Sequence, residues 1–184
     1  YSYAFGNKVY ENSKLGPSSP YGETKLAIEG LLSNIQRQNN GWQIISLRYF
    51  NPIGAHPSGI IGDEPKGKPN NLFPLLLQVA AGKVEYLKVF GDDWDTEDGT
   101  GIRDYIHIMD LALGHLKTLE FLISNDPQIQ NINLGTGRGT SVLQLINVFQ
   151  KVNNVEIPYL ISSRRPGDVQ QLVADNSKAI KRSE

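Results

Sequence analysis

The chain has no cysteine and only one methionine among its 184 residues. That excludes disulfides and thiolate metal sites, and it fits a reducing compartment such as the cytoplasm. Histidine is also sparse. His56, His107 and His115 stand far apart with no metal-ligand spacing, so each reads as structural or surface and no metal is expected. Net charge is −1, with no long basic run and no interleaving of aromatic and basic residues, which argues against a nucleic-acid partner. No apolar stretch is long enough to span a membrane, no signal-peptide pattern is present, and no repeat or low-complexity tract appears. What is there is ordinary: 39% hydrophobic and 20% charged residues, enough to bury a real core. The length suits one large domain or parts of two. The opening at Tyr1 without Met and the unfinished helix pattern before Glu184 lead us to expect a fragment.

Periodicity predicts a helix over residues 20–37, with Leu26, Ile28, Leu31, Leu32 and Ile35 as its apolar stripe. A buried strand is expected over 42–50, and a strand following a long helix points to a βαβ unit with a parallel sheet. Residues 51–71 read as a long Gly/Pro-rich loop, and a loop of that length is functional or disordered. Helices are expected over 72–84, from a cap at Asp110 to about 124, and over 142–152 after a cap at Thr140 or Ser141. Further extended segments are expected at 87–90, 102–108, 129–134 and 157–161. Gly135-Thr136-Gly137-Arg138-Gly139 looks like a dinucleotide loop, but its third Gly comes too early and no acidic residue closes a following strand. It reads as a tight strand-to-helix turn.

Chemistry concentrates in Ser19-Pro20-Tyr21-Gly22-Glu23-Thr24-Lys25. Residues at i and i+4 share a helix face, so Lys25 is expected beside Tyr21. A free Tyr titrates near pH ~10, and a fixed cation favours its phenolate. Such a phenolate suits removal of a proton from an alcohol while hydride leaves the adjacent carbon. Ser19 is a good N-cap, Pro20 suits the first helical position and Glu23 the first turn. Tyr21 is therefore expected at a helix start near the mouth of a sheet, where open α/β folds bind ligands.

Further segments sharpen this: Arg48-Tyr49-Phe50-Asn51-Pro52, Pro69-Asn70-Asn71-Leu72, Val89-Phe90-Gly91, Arg103-Asp104-Tyr105-Ile106-His107 and Arg164-Arg165-Pro166-Gly167-Asp168. In that order they resemble the UDP-glucose (UDP-galactose) 4-epimerase family of the extended short-chain dehydrogenase/reductases. The resemblance covers nearly the whole chain and matches the C-terminal part of those enzymes, without the N-terminal units that carry the NAD loop. It implies an α/β fold: the C-terminal part of a Rossmann-like doubly wound parallel sheet with a smaller mixed α/β substrate-binding domain. Residues 1–50 and 111–135 would belong to the first, and 51–110 and 136–184 to the second.

The resemblance also implies roles. Tyr21 would be the catalytic tyrosine, and Lys25 the lysine that bonds the nicotinamide ribose and lowers the tyrosine pKa. Phe50 would lie by the nicotinamide, Asn51 would bond the sugar or its phosphate, and Asn71 and Leu72 would meet the diphosphate and sugar. Lys88, Val89 and Phe90 would hold the uracil, Arg103 and Arg165 the diphosphate, and Asp168 the uridine ribose. Leu172 would border the C2 substituent of the sugar, where a Tyr excludes N-acetylhexosamines in such enzymes. The implied cofactor is NAD, the substrates UDP-glucose and UDP-galactose, and the full-length assembly a homodimer. The fragment alone is expected to be inactive. The Ser or Thr that the family places five residues before Gly6 is missing, because Tyr1 stands there and Ser2 is one position off. Sibling dehydratases carry an Asp-Glu pair where this chain has Ser2 and Tyr3. The alternatives are another NAD-dependent nucleotide-sugar epimerase or dehydratase of the same superfamily and, for the fragment, a non-catalytic nucleotide-sugar-binding module.

Overall fold

The computed structural model describes residues 8–17, 19–63, 65, 67, 69 and 71–183. Helix α1 (Pro20–Gln38) starts as its sequence dictates: Gly22 N donates to the Ser19 hydroxyl at 3.2 Å, with Pro20 in the first turn. Strand β1 (Ile44–Tyr49) follows, then β2 (Asn51–Ile53) in a segment whose Gly and Pro content reads as loop. Helix α2 (Leu72–Ala80) leads to β3 (Leu87–Phe90), β4 (Ile102–Arg103) and β5 (Tyr105–His107). Helix α3 (Ile108–Ile123) precedes β6 (Ile129–Leu134) and β7 (Thr140–Ser141). Helix α4 (Val142–Asn153), β8 (Tyr159–Ser162), β9 (Gln171–Leu172) and α5 (Ser177–Ser183) complete the chain.

The expected parallel α/β architecture is present, divided into short sheets. β1 pairs in parallel with β6 over six residues, from Ile44↔Ile129 to Tyr49↔Leu134. Alternation along β1 sends Ile45 and Leu47 toward α3 and α5, where they join Ile106, Leu111, Ile132, Leu134 and Ala179. It sends Arg48 the other way, to Glu29 of α1. Helices therefore cover both faces of the strand pair, as parallel sheets require. At Phe50–Asn51 the backbone changes partner: Phe50 N donates to Leu134 O at 3.1 Å, and Asn51 N donates to Asp104 O at 3.0 Å. From there β2 runs parallel to β5. That divergence opens a crevice at the C-terminal end of β1.

A second core lies beyond it. Leu76 and Val79 of α2, Leu87 and Val89 of β3, Ile146 of α4 and Ile157 close a buried cluster over the parallel pair β3–β8. Between the two cores, β4 is flanked by antiparallel β7 and parallel β9. Helix α4 starts from a full capping box, Ser141 with Gln144. Several boundaries differ from expectation, β1 and β8 by one or two residues at each end, and two have a visible local cause. α2 stops at Ala80, and the following Gly82 has a positive φ of +69° that turns the chain before residue 84. α3 is capped by His107, whose Nδ1 accepts from Met109 N, and Asp110 sits in the first turn instead.

The Gly135-Thr136-Gly137 turn holds an anion, and the anion is the protein's own. Asp104 is fully buried, and its carboxylate accepts from Thr136 N at 2.8 Å, Thr136 Oγ1 at 2.7 Å, Gly137 N at 3.0 Å and Ala174 N at 3.2 Å. Successive backbone N–H groups form such anion-binding concavities. A side chain at Gly135 would collide with Asp104 Oδ2 at 2.6 Å. Asp104→Ala leaves those buried donors unmatched, at about 1–3 kcal/mol each. The expected loss in the full-length protein is about 3 kcal/mol or more in urea unfolding, and a loss below about 1 kcal/mol would show that solvent replaces the carboxylate.

Asp98 performs a related task at the start of α4, where its carboxylate accepts from Thr100 N, Thr100 Oγ1 and Ser141 Oγ. Burial alone would raise the Asp98 carboxyl, but the bonds from Ser141 and Thr100 outweigh it and hold it below its ordinary value. A depressed folded-state value stabilises the fold above the unfolded value of about 4, and that contribution is lost as pH falls through the folded value. Asp98→Asn should thus cost stability at pH 7, and the gap to wild type should shrink below about pH 4. Paired melting curves at pH 7 and pH 3 check this: a gap independent of pH would show that the charge of Asp98 contributes nothing.

Candidate functional site

The crevice where β1 and β2 part company is a cavity of about 490 Å³. That lies within the usual range for a small-molecule site. Tyr21 and Lys25 come to it from α1, Phe50 and Asn51 from the strand switch, Asn71 and Leu72 from the start of α2, and Leu172 from β9. These residues are scattered along the chain, yet they line one space. Tyr21 stands at the mouth, 67% exposed, with Lys25 Nζ 5.1 Å from its ring centroid. Asn71 occupies the N-cap position of α2 but makes no capping bond with its side chain. The amide is thereby left to the cavity, and Leu72, Phe73 and Pro74 of the first turn of α2 line the same space, so a helix start, a place suited to an anion, borders it.

The other sequence-predicted residues form a neighbouring group. Asp168 lies between two guanidinium groups, 3.8 Å from Arg103 Nη2 and 3.6 Å from Arg165 Nε. Arg165 also stacks on Phe90, with its Cζ 4.2 Å from the ring centroid. Lys88 is exposed on β3, while Val89 points into the second core, so its backbone alone can meet a ligand. The two groups meet where β4 and β9 run side by side, because Arg103 and Leu172 are register partners. Burial pulls the Arg103 guanidinium down from its ordinary value and Asp168 pulls it back up. A guanidinium stays charged through such shifts.

Sequence reasoning passed over three contributors. Tyr105, inside the 103–107 motif, lines the cavity, and its phenol is pushed up to about 12 by burial, against a smaller opposing effect of Arg103. It keeps its proton at neutral pH and serves only as a hydrogen-bonding group. Arg164 stacks on Trp94 at 3.8 Å and donates to the Asp93 carboxylate at 2.7 Å, which ties residues 91–101 to the loop carrying Arg165 and Asp168. Arg48, quoted only as part of a motif, sits in the cavity wall and bridges to α1. The Ser2 and Tyr3 positions, on which the missing hydroxyl and the dehydratase comparison rest, lie outside the described residues.

The chain is similar to known proteins over nearly its whole length. A UDP-glucose 4-epimerase of Bacillus subtilis (strain 168) is 52% identical over 171 residues, which is 93% of this chain and 50% of that protein. One of Dictyostelium discoideum is 50% identical, over 94% of this chain and 50% of that protein. A crystal structure of UDP-glucose-4-epimerase from Stenotrophomonas maltophila, with bound NAD and formylated UDP-arabinopyranose, superposes with a TM-score of 0.94 at 44% identity. It matches 98% of this chain and 54% of its own. The Bifidobacterium longum enzyme in complex with NAD+ and UDP superposes at 0.92, again with 44% identity, over 97% of this chain and 53% of its own. The chain thus spans about half the length of the curated relatives it matches. Because the NAD dependent epimerase/dehydratase pattern runs through residues 3–135, the chain belongs to that family.

Proposed function

We propose that the full-length protein interconverts UDP-glucose and UDP-galactose by C4 epimerisation through a transient 4-keto sugar. The observation that carries this reading is the meeting of Tyr21 and Lys25 with Asn51, Asn71 and Leu172 around one cavity, beside two arginines that share a carboxylate. Tyr21 takes the proton from the C4 hydroxyl and returns it after the sugar has turned. Asn51 and Asn71 offer amides to the sugar and its phosphates, and Arg103 and Arg165 neutralise the diphosphate. Phe90 and the backbone of Val89 hold the uracil, with Lys88 and Asp168 at its edge. Lys25 and Phe50 face the space where a nicotinamide would lie, and NAD supplies reversible hydride acceptance there.

The test is conversion of UDP-galactose by the full-length protein, followed by coupled oxidation of the UDP-glucose formed. No conversion with NAD present would sink the reading. These 184 residues alone should bind NAD no better than about millimolar in isothermal titration, because a dinucleotide site needs a free glycine turn and Asp104 fills the one at residues 135–137. Micromolar binding would overturn that expectation. No helix among the described residues is long and apolar enough to cross a membrane. We place the full-length protein in the cytoplasm as a homodimer, and sedimentation as a monomer at micromolar concentration would refute the dimer.

A further inference from the structure

We propose that the Arg48–Glu29 ion pair is a positioning device that sets where Tyr21 and Lys25 stand over the cavity; this rests on the epimerase reading. Tyr21, Lys25 and Glu29 follow one another at intervals of four residues and share a face of α1. Glu29 is thus about 6 Å along the helix from Lys25 and about 12 Å from Tyr21. Half-buried apolar side chains such as Leu26, Leu32 and Ile35 hold α1 by a non-directional attraction, which by itself leaves the exact rotation and slide of the helix open. The Arg48 fork does define them. Its Nε donates to Glu29 Oε1 at 2.8 Å and its Nη2 to Oε2 at 2.6 Å, with the side chains only 5% and 16% exposed. Two parallel bonds between planar groups admit one mutual orientation.

The fork is itself anchored. Arg48 Nη1 donates to Glu11 O at 2.9 Å, and the Glu11 carboxylate accepts from Asn133 N at 2.9 Å. Asn133 is the register partner of Arg48 on β6. The position of α1 is therefore referred to both strands of the sheet whose C-terminal end forms the cavity. A buried ion pair is weak evidence for stability, because desolvation cancels most of its attraction. A geometric role explains what a stability role does not. Displacing a reacting group by about 1 Å can cost on the order of 100-fold in rate.

Apart from Asn51, Asn71 and Leu72, which share the cavity with Arg48, the residues assigned to the diphosphate and uridine lie on β3, β4 and the loop after β8, outside the lining of that cavity. The expected result for Arg48→Lys in the full-length protein is therefore a split. The single-turnover rate constant, read at 340 nm from the bound nicotinamide after mixing with UDP-galactose, should fall about 30- to 100-fold. KM for UDP-galactose and affinity for UDP should stay within about threefold, because those contacts are untouched. A rate constant measured per occupied site does not move when a variant merely folds less well. If Arg48→Lys does not fold, Glu29→Gln keeps the shape, removes the charge, and should show the same split. The double exchange Glu29→Arg with Arg48→Glu should recover part of the rate lost in either single variant. A folded Arg48→Lys or Glu29→Gln protein with a single-turnover rate within threefold of wild type overturns the inference alone. Absence of turnover in the unaltered protein overturns the epimerase reading and this inference with it.

Discussion

Tyr21→Phe in the full-length protein should lower kcat by about 10³-fold while affinity for UDP changes less than about threefold. The substitution deletes one oxygen at the mouth of the cavity and leaves the helix start intact, because the cap of α1 is made by Ser19 and Gly22. The ring remains to pack against Lys25. General acid–base catalysis contributes about 10²–10⁴-fold, and here one group takes and returns the same proton. Other phenols line the cavity, namely Tyr10, Tyr49 and Tyr105, so substitution by a neighbour has to be considered. Tyr105 is unsuited, since burial pushes it up to about 12. Tyr105→Phe is the matching control and should lose far less activity. Steady-state assays of both variants decide the matter: residual turnover of Tyr21→Phe within about tenfold of wild type would remove Tyr21 from the role of base.

The parts of this molecule written in local sequence could be read from it. Ser19-Pro20 starts α1 where expected, Ser141 with Gln144 starts α4, and β6 spans the expected residues 129–134. The two helix starts depend on neighbours within four positions, and β6 shows as a short run bounded by turn residues although its partner β1 is distant. What escaped depends on residues far apart. β2 exists because Asn51–Ile53 finds β5 as a partner, and nothing within its own Gly/Pro-rich stretch announces a strand. His107 took the cap of α3 because its ring nitrogen reaches Met109 N, a role for which Asp110 is the commoner chemistry.

Asp104 has no distinguishing mark in the sequence until residues 136, 137 and 174 are brought around it. The family resemblance made legible a set of residues, 21, 25, 50, 51, 71 and 172, that line one cavity. The tie between Arg48 and Glu29 was not, because no local pattern pairs a strand residue with the helix before it.

Leu172→Tyr should cut kcat/KM for UDP-N-acetylglucosamine about 100-fold while changing that for UDP-glucose less than about threefold. Leu172 is half-buried on β9, lines the same cavity as Tyr21, Asn51 and Asn71, and stands beside Arg103 across the strand pair. Its side chain has no polar group, so it can discriminate between sugars only by volume. A wall of this kind distinguishes substrates by about 1–3 kcal/mol, which is roughly 10- to 200-fold. Leu should therefore admit the N-acetyl group at reduced efficiency, and the unaltered full-length protein should prefer UDP-glucose and UDP-galactose with some activity on UDP-N-acetylglucosamine. A phenol ring in place of the isobutyl group occupies the space that the N-acetyl group needs and leaves a C2 hydroxyl unhindered. Retained activity on UDP-glucose is the internal control, since a misfolded variant loses both activities together. The measurement is the ratio of kcat/KM for the two sugar classes in both proteins. An unchanged ratio places the C2 substituent elsewhere in the cavity and makes Leu172 a packing residue of β9.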